Sequence, residues 1–239
     1  LRDQNSPADL FYSEGVRHHL LDVREPGESY NVSDFVRDAK KIEREIRERG
    51  NVPIFCGGTL FWMDSYIQGS DFPSVPPNPT LRTLLGGRTS KSLFEELQEK
   101  DPARAQTIDP HNTVRLIRAL EIIEALGGVP PAAPLSSEAR AKNLHAYEII
   151  ILTPERDVLQ ERIQKRLAVR IDQGLLAEVE GLLAEGASPE WLEALGLEYT
   201  FFSRFLRADI TWEALETELP TAIWHYAKRQ MTFLKKFTV

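Results

Sequence analysis

Apolar residues at Phe35, Ala39, Ile42 and Ile46 recur at helical spacing. Ser33 as N-cap, Asp34 in the first turn and Gly50 past the end bound that helix. The pattern then changes. Val52-Pro-Ile-Phe-Cys56 is too short for a helix and apolar throughout, which predicts a buried parallel strand. Gly57-Gly58-Thr59 ends it, and Leu60–Gln68 reads as the next helix. Tyr147–Leu152 is apolar on both faces and predicts a second strand of the same sheet, while His19–Val23 reads as a short strand or strand end before a turn at residues 25–28. Two stretches rich in Pro and Ser, Ser70–Pro79 and Val129–Ser137, enclose helical patterns around Leu93–Lys100 and Asn112–Leu126, the latter stopped by Gly127-Gly128. From Glu155 onward Leu159, Ile163, Leu167 and Ile171 form a stripe four residues apart, and Pro220 should start or kink the last helix. The grammar is that of an α/β protein: a parallel sheet core (residues 1–75 and 144–239) interrupted by a small helical insertion (76–143) and closed by C-terminal helices.

Charge alters this picture at one place. The net charge of -7 argues against affinity for polyanions, yet His225–Lys236 concentrates cations, and a helix there sets Lys228 with Lys235 and Arg229 with Lys236 two turns apart on one side. A solvated helix end whose cations offset the macrodipole is the plainer reading of the same residues. With 239 residues, 42% of them hydrophobic, the chain can bury one large core, or a core plus a small appended domain. No apolar run approaches the roughly 18 residues that span a bilayer, so no membrane association is expected. Cys56, the single cysteine, excludes an internal disulfide and fits a cytoplasmic setting. The chain opens at Leu1 without an initiator methionine, as expected of a processed protein or a fragment.

Four groups of residues could carry chemistry. The Gly57-Gly58-Thr59 turn lets a backbone approach a ligand, with free amides at the following helix start and a hydroxyl on Thr59; a tight strand-to-helix turn has the same composition. Arg162, Arg166 and Arg170 make a row four residues apart, where like charges repel by a few tenths of a kcal/mol. Arg162 and Arg166 have no acidic residue three or four positions away, so the row needs an anion from elsewhere in the fold or from a ligand phosphate. Arg115 and Arg118 are less demanding, because Glu121 can meet Arg118. His18 and His19 beside Asp22 could bind a metal, but a strand-end histidine satisfied by a backbone carbonyl explains them as well. The chain has no HExxH and no Gly-x-x-x-x-Gly-Lys-Ser/Thr phosphate loop.

Several stretches in order resemble the tRNA dimethylallyltransferase (isopentenyltransferase) family. They are Glu14–Asp22, Val52–Thr59, Val114–Glu121, Arg162 to Arg166 with Gly174–Val179, and Ala227-Lys-Arg-Gln-Met-Thr232, the last being the most specific. The resemblance implies a P-loop-type parallel sheet core and a helical insertion that grips a tRNA anticodon stem-loop. It also implies Mg2+-assisted transfer of a dimethylallyl group from dimethylallyl diphosphate to the N6 amine of an adenine beside the anticodon. By the same resemblance, Thr59 and Arg82 would contact the RNA around the reacting adenine, and Arg115 and Arg118 would hold the loop backbone. Lys228, Arg229, Gln230 and Lys235 would engage the stem-loop, and Arg162 and Arg166 would serve the diphosphate. The Mg2+ ligands would lie upstream of Leu1, none being named among the residues present, and the protein would act as a monomer. Family members carry a phosphate loop and an aspartate general base upstream of the region matched here, so an incomplete chain is expected. Leu197-Glu198 after Gly196, Leu60 and Trp224 depart from the family pattern. Prenyl transfer to a free adenine nucleotide, a non-catalytic tRNA-binding remnant and a nucleotide kinase are the competing readings.

Overall fold

The computed structural model describes residues 11–70, 72, 73, 75–128 and 137–237. They fall into two compact units, Leu1–Gly69 with Ala139–Val239, and Ser70–Glu138. The expected linker at Val129–Ser137 lies, up to residue 136, outside the described residues.

The first unit begins with an antiparallel hairpin, β1 (Phe11–Ser13) and β2 (Val16–His18), with Tyr12 opposite Arg17. The strand expected at His19–Val23 does not form. Leu20 and Asp22 have φ of 60° and 48°, and left-handed residues cannot continue an extended strand. Helix α1 (Val32–Glu48) starts at Asn31 rather than Ser33: the Asn31 side chain accepts from the amides of Ser33 and Asp34, and the Asp34 carboxylate accepts from the Asn31 amide. This reciprocal box satisfies donors that a helix start otherwise leaves open. Gly50, with φ of 76°, follows its end as the sequence predicts. Helix α2 (Leu60–Ile67) packs on α1 through Phe35, Trp62 and Tyr66.

The two central strands predicted from Val52–Cys56 and Tyr147–Leu152 do not pair among the described residues. Val52, Ile54, Ile150 and Leu152 are 76–84% exposed, and the only ladder among the described residues is β1 with β2. A strand needs a neighbour to accept and donate its backbone hydrogen bonds, and apolar composition alone does not provide one. Both runs nevertheless flank the same buried ring: Phe55 lies 4.6 Å and Tyr147 6.3 Å from Tyr66, centroid to centroid. The described chain is mostly helical with a small two-stranded sheet, and the expected parallel sheet core does not appear as a ladder among the described residues.

The second unit holds α3 (Pro79–Gly86), α4 (Ser90–Lys100), α5 (Pro102–Ala105) and α6 (Thr113–Leu126). Leu93, Leu97 and Leu116, at 0% exposure, centre its core with Leu85 and Leu120. Side chains of Asn78, Thr89, Asp101 and Asn112 cap the four helices, and Gly127 ends α6 in a left-handed conformation.

The chain then continues through α7 (Ser137–His145), α8 (Arg156–Asp172), α9 (Leu175–Ala184), α10 (Pro189–Leu195), α11 (Leu197–Leu206) and α12 (Trp212–Leu234). Leu167 of α8, Val179 of α9, Leu192 of α10, Phe202 of α11 and Leu215 and Leu219 of α12 share one core. Pro220 neither starts nor ends a helix but sits inside α12. The fully buried Leu215 and Leu219 anchor the turn before it, so packing holds a helix that a lost hydrogen bond would weaken. No helix among the described residues is long and apolar enough to cross a membrane.

Candidate functional site

Cations without acidic partners mark one region of the first unit. Arg162 and Arg166 on α8 are exposed, and no carboxylate among the described residues forms an ion pair with either. Arg170, the third member of the row, is different: it donates to Glu198 at 3.0 Å. The row therefore splits into two guanidinium groups facing solvent and one neutralised inside the fold. Glu198, one of the departures from the family pattern, is the residue that neutralises it.

Helix α12 packs against α8 and α2, and its basic stretch borders an open groove of about 390 Å³ lined by His225, Lys228, Arg229 and Thr232. No acidic side chain among the described residues lines it. Lys228 lies over the Trp224 ring at 5.8 Å, Arg156 over the same ring at 5.4 Å, and Arg229 over Tyr226 at 5.7 Å. Aromatic rings hold these cations in place while leaving their charge unneutralised, an arrangement suited to phosphates and to bases that stack. Lys235 is the C-cap residue of α12 and continues the stripe by two turns from Lys228. Trp224, a departure from the family pattern, acquires a role here that sequence alone did not supply: it carries two cations at once.

The Gly57-Gly58-Thr59 turn lies beside this helix. Thr59 precedes α2 as its N-cap residue, but its hydroxyl makes no capping bond and the residue is exposed, so that hydroxyl is open to a ligand. Gln230 faces the turn and donates from Nε2 to the carbonyl of Gly58 at 2.6 Å. Thr59 and Gln230, 171 positions apart in sequence, are thus brought to one place. Neither local composition nor periodicity signals that meeting.

In the second unit, Arg82 and Arg118 converge on Glu121, which is 1% exposed. Its carboxylate accepts from Arg82 Nε at 2.8 Å and Nη2 at 2.9 Å, from the Asn78 amide at 2.6 Å and from Arg118, which also donates to the Val75 carbonyl at 2.8 Å. Burial pushes this carboxyl up, but the bonds from Arg82, the Asn78 amide and Arg118 outweigh it and hold it at about 2. One negative charge serves two guanidinium groups that remain 46% and 35% exposed, so the cluster keeps a net positive charge. Arg115, one turn before Arg118, is exposed and has no ion-pair partner among the described residues. Sequence spacing announces the Arg118–Glu121 pair, three residues apart on one helix. The Arg82–Glu121 pair, 39 residues apart, it does not announce.

The histidines near the hairpin behave as structural residues. His18 Nδ1 lies 3.1 Å from the Val16 carbonyl, and burial together with Arg17 lowers the pKa of His19. No group of three or more His, Cys, Asp or Glu among the described residues could hold a metal ion. The Mg2+ that the resemblance implies therefore has no protein cage among them, and the cationic side chains carry the charge balance argued below.

The chain has clear relatives among known proteins. The model of a family described as IPP transferase matches residues 6–237. The chain is 34% identical over 236 residues to tRNA dimethylallyltransferase 1 of Geotalea daltonii, covering 98% of itself and 74% of that protein. It is 35% identical over 226 residues to tRNA dimethylallyltransferase of Anoxybacillus flavithermus, covering 93% of itself and 71% of that protein. Among solved structures it resembles the full-length tRNA isopentenylpyrophosphate transferase of Bacillus halodurans, with a TM-score of 0.59 and 30% identity over 92% of this chain and 69% of that one.

Proposed function

Because the chain belongs to the IPP transferase family, we propose that it transfers a dimethylallyl group from dimethylallyl diphosphate to the N6 amine of an adenine beside the anticodon of a tRNA. The observation that carries this reading to particular residues is the pair Arg162 and Arg166, exposed and free of acidic partners on a helix packed against the basic α12. The amine nitrogen bonds to the allylic carbon, the carbon–oxygen bond breaks, diphosphate leaves with the bonding electrons, and the amine loses a proton. Negative charge grows on the departing oxygen, and fixed guanidinium groups lower the barrier by receiving it. Mg2+ bound to the diphosphate would supply further neutralisation of that charge.

The RNA is held by charge and by hydrogen bonds. Lys228, Arg229 and Lys235 meet phosphates along α12, and Arg115 and Arg118 meet the loop backbone from the second unit. Arg82 and Thr59 contact the nucleotides around the reacting adenine. A loop base leaves its stack at modest cost, which lets an exocyclic amine reach an allylic carbon. The protein works as a monomer in the cytoplasm, where its RNA substrate is found. The runs 52–56 and 147–152, both set against Tyr66, are read as strands of a P-loop-type parallel sheet that have no pairing neighbour among the described residues.

The test is transfer of labelled dimethylallyl from its diphosphate to an anticodon stem-loop, with free adenosine monophosphate as competitor. Label is expected on adenine of the stem-loop, with little competition. Transfer to the mononucleotide at equal efficiency would overturn the RNA assignment, and salt-independent stem-loop binding would remove the phosphate contacts it depends on.

A further inference from the structure

Gln230 lies next to Arg229 and two residues from Lys228, yet it faces another way. Ala227, one turn earlier, is buried, and Gln230 is only partly exposed, whereas Lys228 and Arg229 are exposed. Its Nε2 reaches the Gly58 carbonyl at 2.6 Å, and the same carbonyl accepts the Leu60 amide at 2.9 Å. A second observation points to the same closeness: a Cβ on Gly58 would sit 2.8 Å from Gln230 Nε2. That separation is shorter than real Cβ contacts allow, so glycine is what lets the side chain close on the backbone. Beyond Gly58 the chain reaches Thr59, whose hydroxyl is uncommitted, and then α2.

We propose that Gln230 is a positioning residue, clamping the Gly57–Thr59 turn to α12 so that RNA docking on the basic helix and presentation of the Thr59 hydroxyl are coupled. The coupling rests on the functional reading above; the clamp itself rests only on the contact. A donor is required at this position, because the partner is a carbonyl oxygen already bonded to one amide. Glutamate in its place would set two acceptors against each other at unchanged size. An alanine at position 58 would displace the amide from the other side, without touching α12.

The experiment is residue-resolved amide hydrogen exchange on the full chain, free and with an anticodon stem-loop RNA, for the wild type, Gln230→Glu and Gly58→Ala. In the free protein both variants should speed exchange at Leu60 by about fivefold, the fold-change of one net hydrogen bond, with Tm retained. Added RNA should slow exchange at Leu60 in the wild type. In both variants RNA still binds through Lys228 and Arg229 but leaves the Leu60 rate unchanged. A change that is merely structural would alter Tm and leave RNA-dependent protection of Leu60 in place. Unchanged Leu60 exchange in free Gln230→Glu overturns the clamp. So does a variant that loses RNA affinity while its turn exchanges like the wild type, since Gln230 would then contact the RNA directly. If the wild-type chain does not bind the stem-loop, the functional reading and the coupling both fall, while the clamp is still decided by the RNA-free rates.

Discussion

Glu121 is a buried acid whose charge is kept by its neighbours, and that has a measurable consequence. Its carboxyl is ordinarily near 4.5 and is held at about 2. A group depressed on folding contributes stability above its unfolded pKa and loses it as the pH falls toward the folded value. The fall corresponds to on the order of 3 kcal/mol. Chemical denaturation should therefore show Glu121→Gln less stable than the wild type by roughly that order at pH 7, with the difference shrinking between pH 4.5 and 2. An unchanged difference across that window would mean that packing, and not charge, holds Glu121. The same substitution frees Arg82 and Arg118 from their fixed orientation, so stem-loop affinity should fall even though a negative charge has been removed. A bulk-charge argument predicts the opposite sign.

Helices α8 and α12 carry their cations in different ways, and the difference separates what sequence could reveal from what it could not. On α8 the four-residue spacing of the arginines exposed a repulsion needing an outside anion, and Arg162 and Arg166 remain without acidic partners. Arg170 satisfied itself on Glu198, 28 residues away, a pairing that no local pattern encodes. Replacing Arg166 by Gln should stabilise α8 by a few tenths of a kcal/mol through relief of like charges at i,i+4. It should also weaken pyrophosphate binding measured by calorimetry. If both quantities moved down together, Arg166 would be a structural residue. On α12 the basic stripe was legible from spacing, but its aromatic supports were not: Trp224, Tyr226 and Phe233 each lie under a cation. Lys228→Gln and Arg229→Gln should each reduce the slope of log affinity against log salt for the stem-loop by roughly 0.7 to 0.9. A fall in affinity with the slope intact would point to stacking rather than phosphate contact.

Across the whole molecule, helices were easier to foresee than strands because a helix satisfies its backbone within itself. Periodicity located α1, α4, α6 and α8, and glycines marked the ends of α1 and α6. The short helices α3 and α7 went unseen, being too brief for a repeating stripe. Residues 52–56 and 147–152 show the opposite limit: their composition is that of buried strands, yet a strand's environment is set by partners distant in sequence. Without a ladder, Ile54 and Ile150 stand 84% and 76% exposed on chain whose neighbouring Phe55 and Tyr147 pack against Tyr66. Exposed β-branched residues in extended chain invite pairing with other strands. The pair Ile54→Ser and Ile150→Ser should therefore change unfolding free energy by less than about 0.5 kcal/mol, the range of surface substitutions. Light scattering and binding of an apolar fluorescent dye should both drop. If the substitutions instead destabilise the protein by several kcal/mol, those side chains are buried in solution and the runs are paired strands.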